Sequence, residues 1–273
     1  MNKTIDEIEF TIFDTETTGL EPSSGDRIVE IAGIRVKGRE KISQFEMLVN
    51  PGRPISQAAF QVNQISQEML KDAQGIEEVL PKFLSFIQGS CLCSYNAGFD
   101  LEFLNHELRL MGKSALEDIL VVDMLKMAKR LLPGLERYAL MSVAQTLGFK
   151  QRQEHRALSD VELSLGVFNK FREMLALKGI QDFDNFLNIF TINARILDNL
   201  NARKIAEIQQ AIDLGVKLKI KYLSASGAQV SEREVMPREI RQENNCSYLI
   251  GYCCLRREER TFRIDGILHL EVV

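Results

Sequence analysis

The sequence predicts an α/β fold, a mixed β-sheet with flanking helices, followed by a small antiparallel β module. Three observations carry that expectation. Up to about residue 178, strand-length apolar runs are interleaved with segments whose apolar residues recur at helical spacing. After Leu214-Gly215 the period switches to two. Between these regimes lies an asparagine-rich stretch, with Asn185, Asn188, Asn193, Asn199 and Asn201.

Taken in order, Phe10-Thr11-Ile12-Phe13 ends at Asp14, Arg27 to Val36 follows a Ser-Gly-Asp turn, and Ser43 to Val49 stops before Asn50-Pro51-Gly52. These read as three strands bounded by turn residues. Val79, Leu80, Phe83, Leu84 and Ile87 then mark one helix face. Cys91-Leu92-Cys93-Ser94-Tyr95 reads as a buried strand, and Leu101, Leu104, Leu108 and Met111 mark the next helix. Ser142 is the expected N-cap of a helix through Leu147 that stops at Gly148. A long helix is expected from about Ser159 to Gly179, with Val161, Leu165, Phe168 and Leu175 on its apolar face.

Residues 179–205 are expected as a linker, partly helical through Phe183, Phe186, Leu187 and Phe190. Beyond it, Val216, Leu218, Ile220 and Tyr222 alternate with Lys217, Lys219 and Lys221. Runs at Gln229–Met236, Cys246–Cys254 and Arg260–Ile264 complete the module, with turns at Ser226-Gly227, Glu243-Asn244-Asn245 and Arg257-Glu258-Glu259. It is compact enough for a partly closed barrel. The expected domains are residues 1–178 and 206–273.

The bulk numbers narrow the function classes. With 45% hydrophobic and 26% charged residues, the 273-residue chain has ordinary globular composition. A net charge of −4 argues against a polybasic nucleic-acid coat. It leaves room for an enzyme whose bound cations carry the positive charge locally. Met1 to Asp6 shows no basic and apolar leader, and no apolar run reaches the roughly 18–20 residues that span a bilayer. A cytoplasmic location with no membrane partner is therefore expected. The five cysteines are odd in number and match no zinc spacing, which predicts reduced core thiols.

Chemistry concentrates in three stretches: Phe13-Asp14-Thr15-Glu16-Thr17-Thr18-Gly19, Tyr95-Asn96-Ala97-Gly98-Phe99-Asp100 and His155-Arg156-Ala157-Leu158-Ser159-Asp160. Together they supply four carboxylates and one histidine. Asp14 and Glu16, two apart on a strand, leave on the same face. Four anions in one cleft repel each other unless hard divalent cations, which prefer carboxylate oxygens, compensate them. Two such ions can clamp the attacking and leaving oxygens of a phosphodiester, so the set points to a metal-dependent nuclease. An imidazole has an ordinary pKa of about 6.5, which suits His155 to general-base work. Each motif alone has other readings. Asp14-x-Glu16 also fits a solvated turn or a phosphoaspartyl-transferase loop, Asn96-x-x-x-Asp100 a helix start, and His155 an ordinary loop histidine. Their joint occurrence in this order carries the argument.

These three stretches, with Leu20 and the connecting Leu48-Val49-Asn50-Pro51-Gly52, resemble the exonuclease motifs of the DEDDh family, and most of all the epsilon-type proofreading subunits of bacterial DNA polymerase III. The resemblance covers about residues 7–173. It implies a ribonuclease H-like fold and 3′→5′ hydrolysis of single-stranded DNA or RNA to nucleoside 5′-monophosphates. It implies two Mg²⁺ or Mn²⁺ ions on Asp14, Glu16, Asp100 and Asp160, with His155 as general base. The backbone around Thr15, Thr17 and Thr18 would receive the 3′-terminal nucleotide, Leu20 would wedge near its base, and Asn96 and Phe99 would join the substrate contacts. Family members often carry His before a Gly/x-Ile-Thr segment, where this chain has Asn63-Gln64-Ile65-Ser66. A homodimer or a polymerase association is compatible with the resemblance. The competing reading is a regulatory protein whose nuclease fold recognises 3′ ends with little turnover.

The carboxy-terminal runs around Tyr222, Arg233, Tyr248-Leu249-Ile250-Gly251 and Arg260-Thr261-Phe262-Arg263-Ile264-Asp265 resemble the WYL domain, a small Sm/SH3-like barrel. This implies a pocket for nucleic acid or a nucleotide effector, with Tyr222, Arg233, Tyr248, Arg260 and Arg263 as its candidate residues. The namesake tripeptide reads Ser247-Tyr248-Leu249, without tryptophan. From Ala206 onward ten basic residues face ten acidic ones, so a docking or dimerisation role competes with the effector reading.

Overall fold

The computed structural model describes residues 3–150, 155–224, 229–244 and 246–273. Along the chain the elements are β1 (Glu9–Thr17), β2 (Ile28–Lys37), β3 (Glu40–Leu48), α1 (Gln57–Asn63), α2 (Gln67–Leu70), α3 (Ile76–Ile87), β4 (Cys91–Ser94), α4 (Ala97–Leu110), β5 (Val121–Asp123), α5 (Met124–Leu131), α6 (Leu140–Thr146), α7 (Ala157–Leu177), α8 (Phe183–Phe190), α9 (Ala194–Leu214), β6 (Leu218–Leu223), β7 (Val230–Glu243), β8 (Cys246–Cys253), β9 (Glu258–Arg263) and β10 (Ile267–Val272).

The first sheet has the order β3-β2-β1-β4-β5, with an antiparallel meander joined to parallel strands at β1. Alternation along β1 sets what each face meets. Phe10 and Ile12 enter a core with Phe168 and Phe171 of α7 and Phe186 and Phe190 of α8. Phe13 enters a second core with Val79 and Phe83 of α3 and Phe103 and Leu104 of α4. Full burial of one such side chain stabilises by roughly 1.5–3 kcal/mol, so both faces of β1 are firmly held. Asp14 and Glu16 continue the face of Phe10 and Ile12 towards α7, whereas Thr15 continues the face of Phe13 towards α4.

Two helix starts differ from expectation. Ala139, not Ser142, holds the N-cap position of α6, and the Ser142 carbonyl accepts from Thr146 Oγ1 at 2.9 Å. Helix α7 begins at Ala157, so Ser159 lies inside its first turn. The Ala157 N–H bonds to the carboxylate of Glu30, on β2, at 2.9 Å. A capping group supplied from another element leaves no local sequence signal.

Residues 179–205 carry α8 and the first half of α9. Phe186 and Phe190 are buried against Phe10 and Phe168, so this stretch packs into the first core.

The second sheet is antiparallel, in the order β10-β6-β7-β8-β9. The expected Sm/SH3-like barrel is not closed, because edge strands β9 and β10 do not pair. The apolar face is covered by α9, whose Ile208 and Ala211 bury against Leu218, Ile220, Val235, Leu249 and Phe262. A sheet whose apolar face is already covered by a helix has less to gain from curling onto itself. Beyond the expected strands, β7 extends to Glu243 and β10 pairs with β6. The expected Ser226-Gly227 turn lies outside the described residues. Lys217 and Lys219 pair with Glu234 at 4.0 Å and Glu232 at 3.7 Å, an exposed ionic ladder worth little to stability.

The 3-10 turn Ile264–Gly266, which leads into β10, packs against α8 and α9. Arg130 of α5 donates to the Leu223 carbonyl at 3.0 Å, and Lys204 of α9 to the Ile267 carbonyl. Arg263 grips Asp265 through two nitrogens. All five cysteines are free, and Cys91, Cys93 and Cys253 are buried. Among the described residues no helix is long and apolar enough to cross a membrane.

Candidate metal centre

Three elements converge at the end of β1. Asp14 and Glu16 project from one face of the strand, and Asp160 comes from the first turn of α7. One carboxylate oxygen from each lies within 4.8 Å of the others. Asp100, in the first turn of α4, adjoins Asp14 and is held from the other face of β1. Its Oδ1 accepts from the Thr15 N–H at 2.9 Å and the Thr15 hydroxyl at 2.7 Å. Its Oδ2 accepts from Ser94 Oγ at 2.6 Å.

Burial and mutual repulsion raise the acids of this cluster. Burial pushes Asp14 well above the usual carboxylate range, reinforced by Asp100, Glu16, Asp160 and Glu30. Burial likewise pushes Glu16 up to about 8, with Asp160 and Glu30 adding to the effect and an Asn63 hydrogen bond opposing it. Asp100 rises to about 6 through burial, restrained by the Ser94 and Thr15 hydrogen bonds. Acids gathered at this cost, with hard oxygen donors only, fit a divalent cation of the Mg²⁺ or Mn²⁺ type.

The loop after β1 is pinned by Asp26, which accepts from Thr18 Oγ1 at 2.9 Å and from the Glu21 N–H at 3.1 Å. A Cβ on Gly19 would stand 2.2 Å from Asp26 Oδ2, so any other residue there would displace the Asp26 carboxylate. The Thr17 hydroxyl donates to the Gly19 carbonyl at 2.5 Å. This bracing holds Leu20 out with 82% of its surface exposed. Asn63, buried at the end of α1, donates to the Thr17 carbonyl at 3.3 Å, so the segment that departs from the family pattern abuts this loop. Asn96 stands exposed in the left-handed region at the start of α4, and the half-buried Phe99 packs on Phe103 at 5.0 Å between ring centroids. His155 is half-buried immediately before the N-cap of α7, with φ of 50°.

Sequence reasoning missed the groups that hold these side chains. Ser94 and Glu30 lack a motif of their own, and so does Glu107, which accepts from Arg27 Nε at 2.8 Å and Nη2 at 2.7 Å. That pair ties the residue before β2 to α4, as Glu30 with Arg156 ties β2 to the N-cap of α7. One signal was available: Glu30 interrupts the apolar run Ile28-Val29-Glu30-Ile31-Ala32, where an acid has to be matched by a partner.

The candidate residues of the second sheet divide. The Tyr222 hydroxyl accepts from the Arg263 N–H at 3.3 Å, and Tyr248 is directly paired with Arg263 across β8 and β9. Arg233 and Arg260 are placed elsewhere, paired across strands with Ile220 and Gly251.

The sequence profile of the Exonuclease family matches residues 11–168, which run from within β1 to within α7 and include Asp14, Glu16, Asp100 and Asp160. The chain belongs to the Exonuclease family. A second profile, the WYL domain, matches residues 203–272. The exonuclease relatives include the DNA polymerase III subunit epsilon of Treponema pallidum, 38% identical over 163 residues, covering 59% of this chain and 75% of that protein. The PolC-type DNA polymerase III of Thermotoga maritima is 31% identical over 270 residues, covering 97% of this chain. This chain spans only 19% of the length of that polymerase. Among solved structures, the nuclease domain of 3′hExo, a DEDDh family member bound to rAMP, superposes with a TM-score of 0.54 at 17% identity. It covers 60% of this chain and 92% of that one. Product-bound exonuclease I gives 0.55 at 14% identity, covering 96% of this chain and 64% of that one. The mixed five-stranded sheet with its helices is thus the ribonuclease H-like exonuclease fold.

Proposed function

We propose that this exonuclease-family chain is a 3′→5′ exonuclease acting on single-stranded nucleic acid, with DNA favoured, and releasing nucleoside 5′-monophosphates. The observation that carries the reading is the convergence of Asp14, Glu16 and Asp160 within 4.8 Å, beside an Asp100 already oriented by Thr15 and Ser94. These four acids would hold two divalent ions. When bound, Mg²⁺ or Mn²⁺ supplies charge stabilisation to the attacking and leaving oxygens of the phosphodiester. His155 takes the proton of the attacking water. Thr15, Thr17 and Thr18 line the backbone that receives the terminal nucleotide. Exposed Leu20 packs against its base, and Asn96 and Phe99 border the strand.

In this reading residues 1–178 form the nuclease unit, and residues 206–273 form the WYL unit, which binds nucleic acid or a nucleotide effector through Tyr222, Tyr248 and Arg263. Arg233 and Arg260 contribute to a longer path for the strand. Tethering a weak binding module raises the effective concentration of substrate at the acids. The test is incubation of the full chain, beside Asp14→Ala, with 5′-labelled DNA and RNA oligonucleotides in Mg²⁺, Mn²⁺ or EDTA. A metal-dependent ladder shortening from the 3′ end, lost in the variant, is expected. Absence of cleavage with every metal overturns the reading.

A further inference from the structure

We propose that Glu30 and Arg156 are a positioning pair that sets His155 against the acids of β1. The inference rests on the nuclease reading of that site and adds to it two residues outside the acid set and its base. Glu30 is fully buried at 0% exposure, and it is directly paired with Glu16 across β1 and β2. Side chains directly opposite each other in an antiparallel pair share a face, so Glu30 stands beside Glu16 as one more acid.

Its oxygens are committed elsewhere. Arg156 reaches Oε2 through Nε at 3.1 Å and Oε1 through Nη2 at 2.5 Å, and the Ala157 N–H reaches Oε2 at 2.9 Å. A guanidinium fork on a carboxylate fixes angle as well as distance. An uncompensated carboxylate in this position would be strongly destabilising, so the arginine is what permits the acid to stay. The same carboxylate sits at the N-terminus of α7, where a negative charge is favourable.

What this grip controls lies on both sides of it. The Asp160 N–H bonds to the Arg156 carbonyl at 3.0 Å, so the first turn carrying Asp160 is built on the gripped residue. His155 precedes it in the left-handed region, at φ of 50°. A non-glycine residue there costs on the order of 1–2 kcal/mol and persists where its surroundings impose it. Glu30, holding Arg156 and Ala157, is the constraint on the helix side of that residue. The direction of the imidazole is thereby set by a carboxylate directly opposite Glu16 on the neighbouring strand.

The experiment compares Glu30→Gln, His155→Ala and their double variant in the full chain. It measures turnover on a single-stranded oligonucleotide, Mn²⁺ binding by calorimetry, and the imidazole resonances by NMR. Three histidines, His106, His155 and His269, make the resonances assignable by substitution. Glu30→Gln is expected to lower kcat by up to about 10²-fold, the cost of a misplaced catalytic group, with KM unchanged. Mn²⁺ binding persists, and the His155 resonances move while those of His106 and His269 stay in place. In the His155→Ala background Glu30→Gln has no further effect on turnover.

A full additional loss in that background overturns the proposal, because the carboxylate then acts through something other than His155. Unmoved His155 resonances overturn it as well. If the wild-type chain cleaves nothing, the nuclease reading falls, and the resonances still decide whether Glu30 positions His155. Should Glu30→Gln not fold, Arg156→Lys, at the 35% exposed end of the pair, keeps the charge without the fork and carries the same readouts.

Discussion

Glu16 and Glu30 are paired directly across β1 and β2, on one face of the sheet. Glu30 is held by Arg156 and the start of α7, whereas Glu16 lies with Asp14 and Asp160 and is pushed up to about 8. Two glutamates a strand apart are thus divided between scaffold and site by where the arginine falls. The guanidinium compensates one acid, and the other remains available to a cation.

Removing the base should separate chemistry from metal binding. His155→Ala is expected to lower turnover by about 10²–10⁴-fold, the range for loss of general-base assistance. Calorimetric Mn²⁺ binding should stay close to that of the wild type. Near-normal turnover in this variant would remove His155 from the proton-transfer step.

The acid cluster makes stability depend on pH. Glu16 is raised from the ordinary 4.5 to about 8, so the folded chain keeps a proton that the unfolded chain releases. Its contribution is complete below the ordinary value and is lost as pH rises through about 8. In EDTA, the thermal midpoint of the wild type should therefore fall relative to Glu16→Gln as pH is raised from about 5 to about 8. Mn²⁺ should raise the wild-type midpoint most at the upper end, since its ligands bind deprotonated. Parallel curves for the two proteins in EDTA would count against an uncompensated Glu16.

Asp100 depends on its two hydroxyl donors. Ser94→Ala removes the bond to Oδ2 and leaves a buried carboxylate oxygen without it, costing about 1–3 kcal/mol. Burial then acts against one restraint fewer, so Asp100 should rise further above about 6. The measurable result is a lower turnover below neutral pH that recovers as pH is raised. A uniform loss at every pH would assign Ser94 to packing alone.

Asp265 is the acid of the 3-10 turn that packs against α8 and α9. It is 7% exposed and bonded to Arg263, and it offsets the crowding of Lys126, Arg130 and Lys204. Asp265→Asn should destabilise by about 1–3 kcal/mol, between the values for exposed and buried pairs, because Arg263 is partly solvated. Urea unfolding of the variant measures this. An unchanged midpoint would show that the backbone carbonyls accepting from Arg130 and Lys204 hold the turn without it.

By itself the sequence determined the elements whose cause is local. The alternation of Phe10, Ile12, Asp14 and Glu16 places two apolar side chains and two acids on one face of a strand. The apolar spacing of α3 and α4 follows from the helical period, and the three motifs carried the family. The tertiary structure decided what depends on residues distant along the chain. Glu30 starts α7 at Ala157 from across the sheet, and no local pattern near Ser159 could report that. The second sheet stays open, and Ile208 and Ala211 of α9 cover the face a barrel would turn inward. Periodicity is a property of neighbours in sequence, whereas caps, charge compensation and sheet closure are set by neighbours in space.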